Sequence, residues 1–211
     1  MNFRIIMAIA TTAIAAGVLG PVSTGHAANI IEEWASVKQP PAPALKQVTV
    51  DAKTTALLML DFMNQNCGKR PRCVASIPAV KKLLGEARAK KVAVVYSLIA
   101  KTTTADVIKD VAPAAGEASV LSGPDKFLRT DLEKILKDKG IKTVIAVGTS
   151  ANGAVLYIAS AAALHGMDVI VPVDGMSSAD AYADFTTAAV LTTAPLVSRK
   201  VTLTKIDMIK F

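Results

Sequence analysis

The stretch Thr143–Gly166 constrains this chain more than any other. Thr143-Val-Ile-Ala-Val147 is a short, β-branched, apolar run, the pattern of a strand buried on both faces. A turn of small residues follows, Gly148 to Gly153, and then an Ala-rich segment from Ala154 to Leu164. His165-Gly166 supplies a helix stop signal. Strand, tight turn and helix in that order predict a βα unit of an open parallel sheet. Ligands of such sheets bind in the crevice at the carboxyl ends of the strands. The first N–H groups of the helix lack backbone acceptors and favour a carboxylate or an oxyanion. A plain βα turn, with small residues serving only close packing, is the alternative reading.

The rest of the chain repeats the alternation. Thr55–Asp61, Val92–Ser97, Met167–Val173 and Ser198–Thr204 read as strands, the last at an edge. Ser76–Lys90 reads as a helix with Ser76 at its N-cap and Pro78 in the first turn. Thr130–Lys139 and Ser178–Thr193 read as further helices. The predicted fold is α/β, with three layers (α/β/α, Rossmann-like) around a mainly parallel central sheet. Lys101–Gly116 is a polar connection placed where a lid, and a wall of the ligand pocket, would lie.

The N-terminus has a different character. Met1-Asn-Phe-Arg4 is basic, Ile5–Leu19 is apolar, and small residues surround Ala27-Ala28. This is the pattern of a secretory signal peptide, and the apolar run is short for a membrane span. Three segments are expected: residues 1–28 as signal peptide, 29–50 as a short helix and Pro-rich arm, and 51–211 as the main domain. The mature protein is expected in the periplasm or secreted, with no membrane attachment. The net charge of +7 comes from scattered lysines and arginines mixed with acids, and aromatic residues make up 4% of the chain. That excludes a basic stripe with stacking side chains, so nucleic acid is not an expected partner.

Candidate chemistry is sparse. The apolar run Thr55–Leu60 ends in Asp61, a carboxylate at the ligand-binding edge of the sheet or a cap of the next turn. Cys67 and Cys73 bracket Gly-Lys-Arg-Pro-Arg. In an oxidising compartment they could close a disulfide. The alternative is a reactive Cys67 thiol, its pKa lowered by Lys69, Arg70 and Arg72. Beyond the signal peptide His165 is the only histidine. A His-based zinc site and a Ser-His-Asp triad are therefore not expected, and no metal is assigned. No Gly-rich phosphate motif follows the first strand, so no nucleotide cofactor is expected.

Four segments taken together resemble the isochorismatase-like hydrolases, also called cysteine hydrolases. They are Ala56-Leu-Leu-Met-Leu-Asp-Phe-Met-Asn64, Phe127-Leu-Arg-Thr-Asp-Leu132, Val147-Gly-Thr-Ser-Ala-Asn-Gly-Ala-Val155 and Val169-Ile-Val-Pro-Val-Asp-Gly-Met-Ser177. The resemblance covers roughly Thr55 to Ser178. It implies a catalytic Asp, Lys and Cys. The Asp falls on Asp61. The Cys falls on Ala154, which has no nucleophilic atom, so no thioester can form there. An ungapped alignment puts the Lys at Leu121, and Lys126 is the nearest lysine able to reach the same space. Isochorismatases proper are similar in carrying a small Gly at the Cys position, with the Asp as general acid. By that likeness Asp61 is the acid and Lys126 holds the ligand. Phe62, Ser150, Ala151, Asn152 and Gly153 surround a small-molecule substrate, with the N–H groups of Ala151 to Ala154 facing its anionic part. The resemblance also implies a cis peptide, expected at Thr149–Ser150, and a homo-oligomer. The activity it implies is hydrolysis of a small amide, urea or vinyl ether without a cysteine nucleophile. A catalytically inactive relative that binds a small anion or amide, and an enzyme using Cys67, are the competing readings.

Overall fold

The computed structural model describes residues 29–211. The expected signal peptide, residues 1–28, lies outside the described residues. The chain falls into two compact units, one ending at Gln39 and one running from Pro40 to Phe211. Of the first, the described part holds helix α1 (Ile30–Glu33) and a 3-10 turn over Trp34–Ser36. Asn29 caps α1, its side chain accepting from the N–H groups of Ile31 and Glu32.

The second unit is built on nine strands and four helices. In chain order they are β1 (Val48–Thr49), β2 (Thr55–Leu60), α2 (Pro71–Ala89), β3 (Ala93–Leu98), β4 (Ala118–Leu121), α3 (Leu132–Asp138), β5 (Thr143–Thr149), α4 (Leu156–Leu164), β6 (Asp168–Pro172), β7 (Met176–Ser177), α5 (Ala181–Thr193), β8 (Val201–Thr204) and β9 (Ile209–Lys210). Seven strands form the main sheet in the order β4-β3-β2-β5-β6-β8, and β7 continues beside β5. Every pairing in it is parallel.

The uniform apolarity of β2 follows from its central place. Ala56, Leu58 and Leu60 pack into a core shared with Leu132 and Leu136 of α3, Ile158 of α4 and Leu191 of α5. Leu57 and Met59 pack into a second core with Val80, Leu83 and Leu84 of α2. Alternate residues of one strand thus serve opposite faces, as the pleat requires. The result is the three-layer α/β/α fold expected from the sequence.

Several elements differ from their expected form. Helix α2 begins at Pro71, not after Ser76. A Cys67–Cys73 disulfide ties the first turn of α2 to the preceding loop, and Pro71 suits that turn because it has no N–H to leave unpaired. Ser76 lies inside the helix, its hydroxyl donating to the Cys73 carbonyl. Helix α5 starts three residues later than expected, where the Asp180 side chain accepts from the Ala183 N–H. Strand β4 was not legible: of its four residues only Val120 is buried, as befits an edge strand. The two-residue pair β1–β9 was equally silent.

Lys101–Gly116 is fastened to the body rather than poised over it. Val107 and Val111 are buried in the α2-side core. Asp106 accepts from the Asn64 and Gln65 side chains, Asp110 from Lys81, and the Ala112 carbonyl from Arg88. No helix among the described residues is long and apolar enough to cross a membrane.

Candidate active site

The carboxyl ends of β2, β3 and β5 converge on Asp61. Leu60 is in register with Ser97 of β3 and with Gly148 of β5. Gly148 has φ 143°, and a Cβ there would lie 2.1 Å from the Leu60 carbonyl oxygen, so only glycine fits this close approach. Immediately beyond β2, Asp61 takes a left-handed conformation, φ 57°, which ends the strand.

Lys126 closes an ion pair on that carboxylate. Its Nζ donates to Asp61 Oδ1 at 2.9 Å, to Oδ2 at 2.8 Å and to the Gly123 carbonyl at 2.8 Å. The Lys126 side chain is 1% exposed and that of Asp61 8%. Ser97 Oγ donates to Asp61 Oδ1 at 2.6 Å and accepts the Asp61 N–H. Burial raises the Asp61 pKa above its ordinary 3.8, against the opposing pull of Lys126, of the Ser97 hydrogen bond and of Arg70. A raised carboxyl beside a fixed ammonium is suited to giving and retaking a proton.

The turn after β5 forms the other side. The Thr149–Ser150 peptide, the bond expected from the resemblance, is cis. A wide π-helical turn, Ala151–Val155, leads into α4. Part of the expected N–H cradle is used internally. The Gly153 and Val155 N–H groups donate to the Ser150 carbonyl, and the Asn152 N–H donates to Ser178 Oγ. The N–H groups of Ala151 and Ala154 have no acceptor outside this helical segment among the described residues. Ala154 and Ala151 are buried, Ser150 and Gly153 half-buried, and Asn152 exposed.

Lys126, not Leu121, meets the carboxylate: Leu121 ends the edge strand, 58% exposed. The three donors of the Lys126 ammonium are all engaged within the protein, so it positions Asp61 and has none left over for a ligand. Phe62, expected beside the substrate, is instead 1% exposed in the α2-side core. The left-handed turn at Asp61 breaks the alternation of β2, so Phe62 joins Leu57 and Met59 on the α2 side and not Leu58 and Leu60 on the other. Cys67 and Cys73 form a disulfide, so Cys67 carries no thiol in this form. Three participants were not singled out as site residues. Ser97 is a lone hydroxyl near the end of the apolar strand β3, a signal that was available. Ser178 orders the turn through Asn152, its Oγ donating to Asn152 Oδ1. Arg70, considered only as a neighbour of Cys67, donates from Nη1 to Thr149 Oγ1 at 2.9 Å.

A separate cavity of about 520 Å³ opens beneath the arm, lined by residues that include Pro43, Leu45, Arg72, Ser177 and Phe185. Its Arg72 and Asp184 pair with each other, its Asp174 accepts the Ile206 N–H, and it does not include Asp61 or Lys126. Among the described residues no group of three or more His, Cys, Asp or Glu side chains could hold a metal ion.

The isochorismatase domain matches residues 55–200, the span that carries Asp61, Lys126 and the cis turn. The chain belongs to the isochorismatase family. Solved structures of the same fold include an isochorismatase-like hydrolase from Alkaliphilus metalliredigens, at 23% identity and a TM-score of 0.66, covering 74% of this chain and 96% of that one. An N-carbamoylsarcosine amidase from Thermoplasma acidophilum aligns at 21% identity and a TM-score of 0.63, covering 73% and 97%. A nicotinamidase from Staphylococcus aureus aligns at 17% identity and a TM-score of 0.63, covering 72% and 98%. No curated protein matches the chain. Within the isochorismatase family this member keeps an Asp–Lys pair and carries Ala154 where the resemblance places the nucleophile.

Proposed function

We propose that this isochorismatase-family protein is an exported hydrolase that cleaves a small amide, urea or vinyl ether with Asp61 as its acid–base group and without a covalent intermediate. The observation that carries this reading is the buried Asp61–Lys126 pair, in which the carboxyl is raised while Ser97 and Lys126 fix its orientation. With a vinyl ether, protonated Asp61 donates its proton to the terminal alkene carbon. Water adds to the oxocarbenium carbon, the hemiketal expels the alcohol, and the proton lost by water returns to the carboxylate. The products are a ketone and an alcohol. With an amide or urea the ionised carboxylate instead removes a proton from the attacking water and returns it to the leaving nitrogen. Alanine at position 154 brings no thiol, so water is the nucleophile in this reading. Export rests on the N-terminal sequence, with the Cys67–Cys73 pair in keeping with an oxidising compartment. Self-association rests on the family resemblance.

A second reading is favoured by the low exposure of Asp61 and by the missing nucleophile: an inactive member that binds a small anion or amide. Asp61→Asn separates the two. Under the hydrolase reading, turnover on a panel of amides, ureas and vinyl ethers falls by about 10²- to 10⁴-fold while ligand affinity is kept. Turnover indifferent to this substitution would remove Asp61 from the mechanism. Binding without turnover by the unsubstituted protein would establish the second reading.

A further inference from the structure

The site holds a cation without a counter-ion. Arg70 is half-buried, and no carboxylate lies within ion-pair distance of it among the described residues. Arg88, also half-buried, is held by both oxygens of Glu117, and Arg72 is paired with Asp184. A guanidinium has five N–H donors in a planar fork, and Arg70 spends one of them, on Thr149 Oγ1. Thr149 begins the cis peptide just past Gly148, the register partner of Leu60, and the Arg70 charge is near enough to act on Asp61. Arg70 is also the N-cap residue of α2, a helix start that no side chain caps. The positive end of that dipole adds to the same field.

The charges at this point do not cancel. Asp61 and Lys126 neutralise each other, and Arg70 leaves the site one positive charge in excess, or two when Asp61 carries its proton. Such a site is complementary to an anion. Lys126 has no donor left for it, whereas the guanidinium keeps four of its five. A carboxylate suits the fork, since two parallel N–H···O bonds form with one planar partner.

We propose that Arg70 is the specificity-determining residue of this site and binds the carboxylate of a small anionic substrate, held in place by the Cys67–Cys73 loop. The inference rests on the acid–base reading of Asp61 and narrows its substrates to those bearing a carboxylate. It carries a consequence for the chemistry. Arg70 pulls the Asp61 pKa down. A bound carboxylate offsets that pull, so the anionic substrate itself favours the protonated acid.

Matched probes test this: succinamate, N-carbamoylglycine and 2-methoxyacrylate, each beside its methyl ester. At least one acid should bind the oxidised full-length mature protein about 10- to 100-fold more tightly than its ester, the range expected for hydrogen bonds to a charged group. Arg70→Gln should abolish the preference, so that acid and ester bind alike. Arg70→Lys should keep part of it, with KM raised and kcat nearly preserved. It also serves as the readout if Arg70→Gln fails to fold. Acids binding no better than esters, no probe binding, or a preference that survives both substitutions would overturn the proposal. A binding preference lost in Arg70→Gln without turnover of any probe would leave Arg70 standing and remove the hydrolase reading. Turnover of acid and ester alike, indifferent to Arg70, would do the reverse.

Discussion

Replacing Lys126 by methionine keeps the length and the apolar stem of the side chain and removes three hydrogen bonds, two of them to Asp61. Both members of the pair are out of water, the Lys126 side chain at 1% and that of Asp61 at 8% exposure. Breaking a buried pair from one side costs about 3–5 kcal/mol, because the partner charge stays buried and unpaired. For a domain of this size that lowers Tm by roughly 6–20 °C. Asp61 has one escape, which is to take up a proton. Losing Lys126 removes the strongest pull against burial, so the Asp61 pKa climbs further above its ordinary 3.8. The folded variant then holds a proton that the unfolded chain releases above about pH 4. Stability of the variant therefore falls as pH rises from about 4 toward the raised folded pKa, and recovers on acidification. Urea unfolding at pH 5 and pH 7 reads both effects. The deficit against the unsubstituted protein should be larger at pH 7 than at pH 5. The double variant Asp61→Asn/Lys126→Met should recover part of the loss, since no charge is left unpaired. A midpoint unchanged at pH 7, or a deficit that does not shrink at pH 5, would refute the account of a buried, coupled pair.

Further outcomes can be checked on the same protein. Reducing the Cys67–Cys73 bond should lower stability by about 2 kcal/mol, the loop-entropy value for so short a loop, read as a shift of the urea midpoint with and without reductant. Intact mass of the exported protein should place its N-terminus near residue 29 and its two cysteines in the oxidised form, whereas a retained N-terminus or two free thiols would count against export into an oxidising compartment. Light scattering at micromolar concentration should give a homo-oligomer, and a monomer there would contradict the self-association carried by the family resemblance.

What the sequence by itself determined is the set of features written in local pattern. The unbroken apolarity of Thr55–Leu60 and Thr143–Val147 announced two central strands, because only strands covered on both faces are apolar at every position. A carboxylate closing the first of these runs, and a small-residue turn closing the second, placed Asp61 and the Ser150–Ala154 turn at the ligand-binding edge. The missing nucleophile was equally plain, since Ala154 offers no reactive atom in any fold. Tertiary structure alone decided the partners. Lys126 meets Asp61 across 65 residues, and Arg70 meets Thr149 across 79. The order β3-β2-β5 and the closure of the segment after β4 create these meetings, and no periodicity records either one. The structure also turned Phe62 into the core and spent several N–H groups of the turn on Ser150 and Ser178. Edge strand β4 stayed hidden because a strand with one buried residue has almost no hydrophobic signal to write into its sequence. Local patterns report which faces avoid water, whereas the site depends on which distant side chains share one point in space, and sheet order sets that.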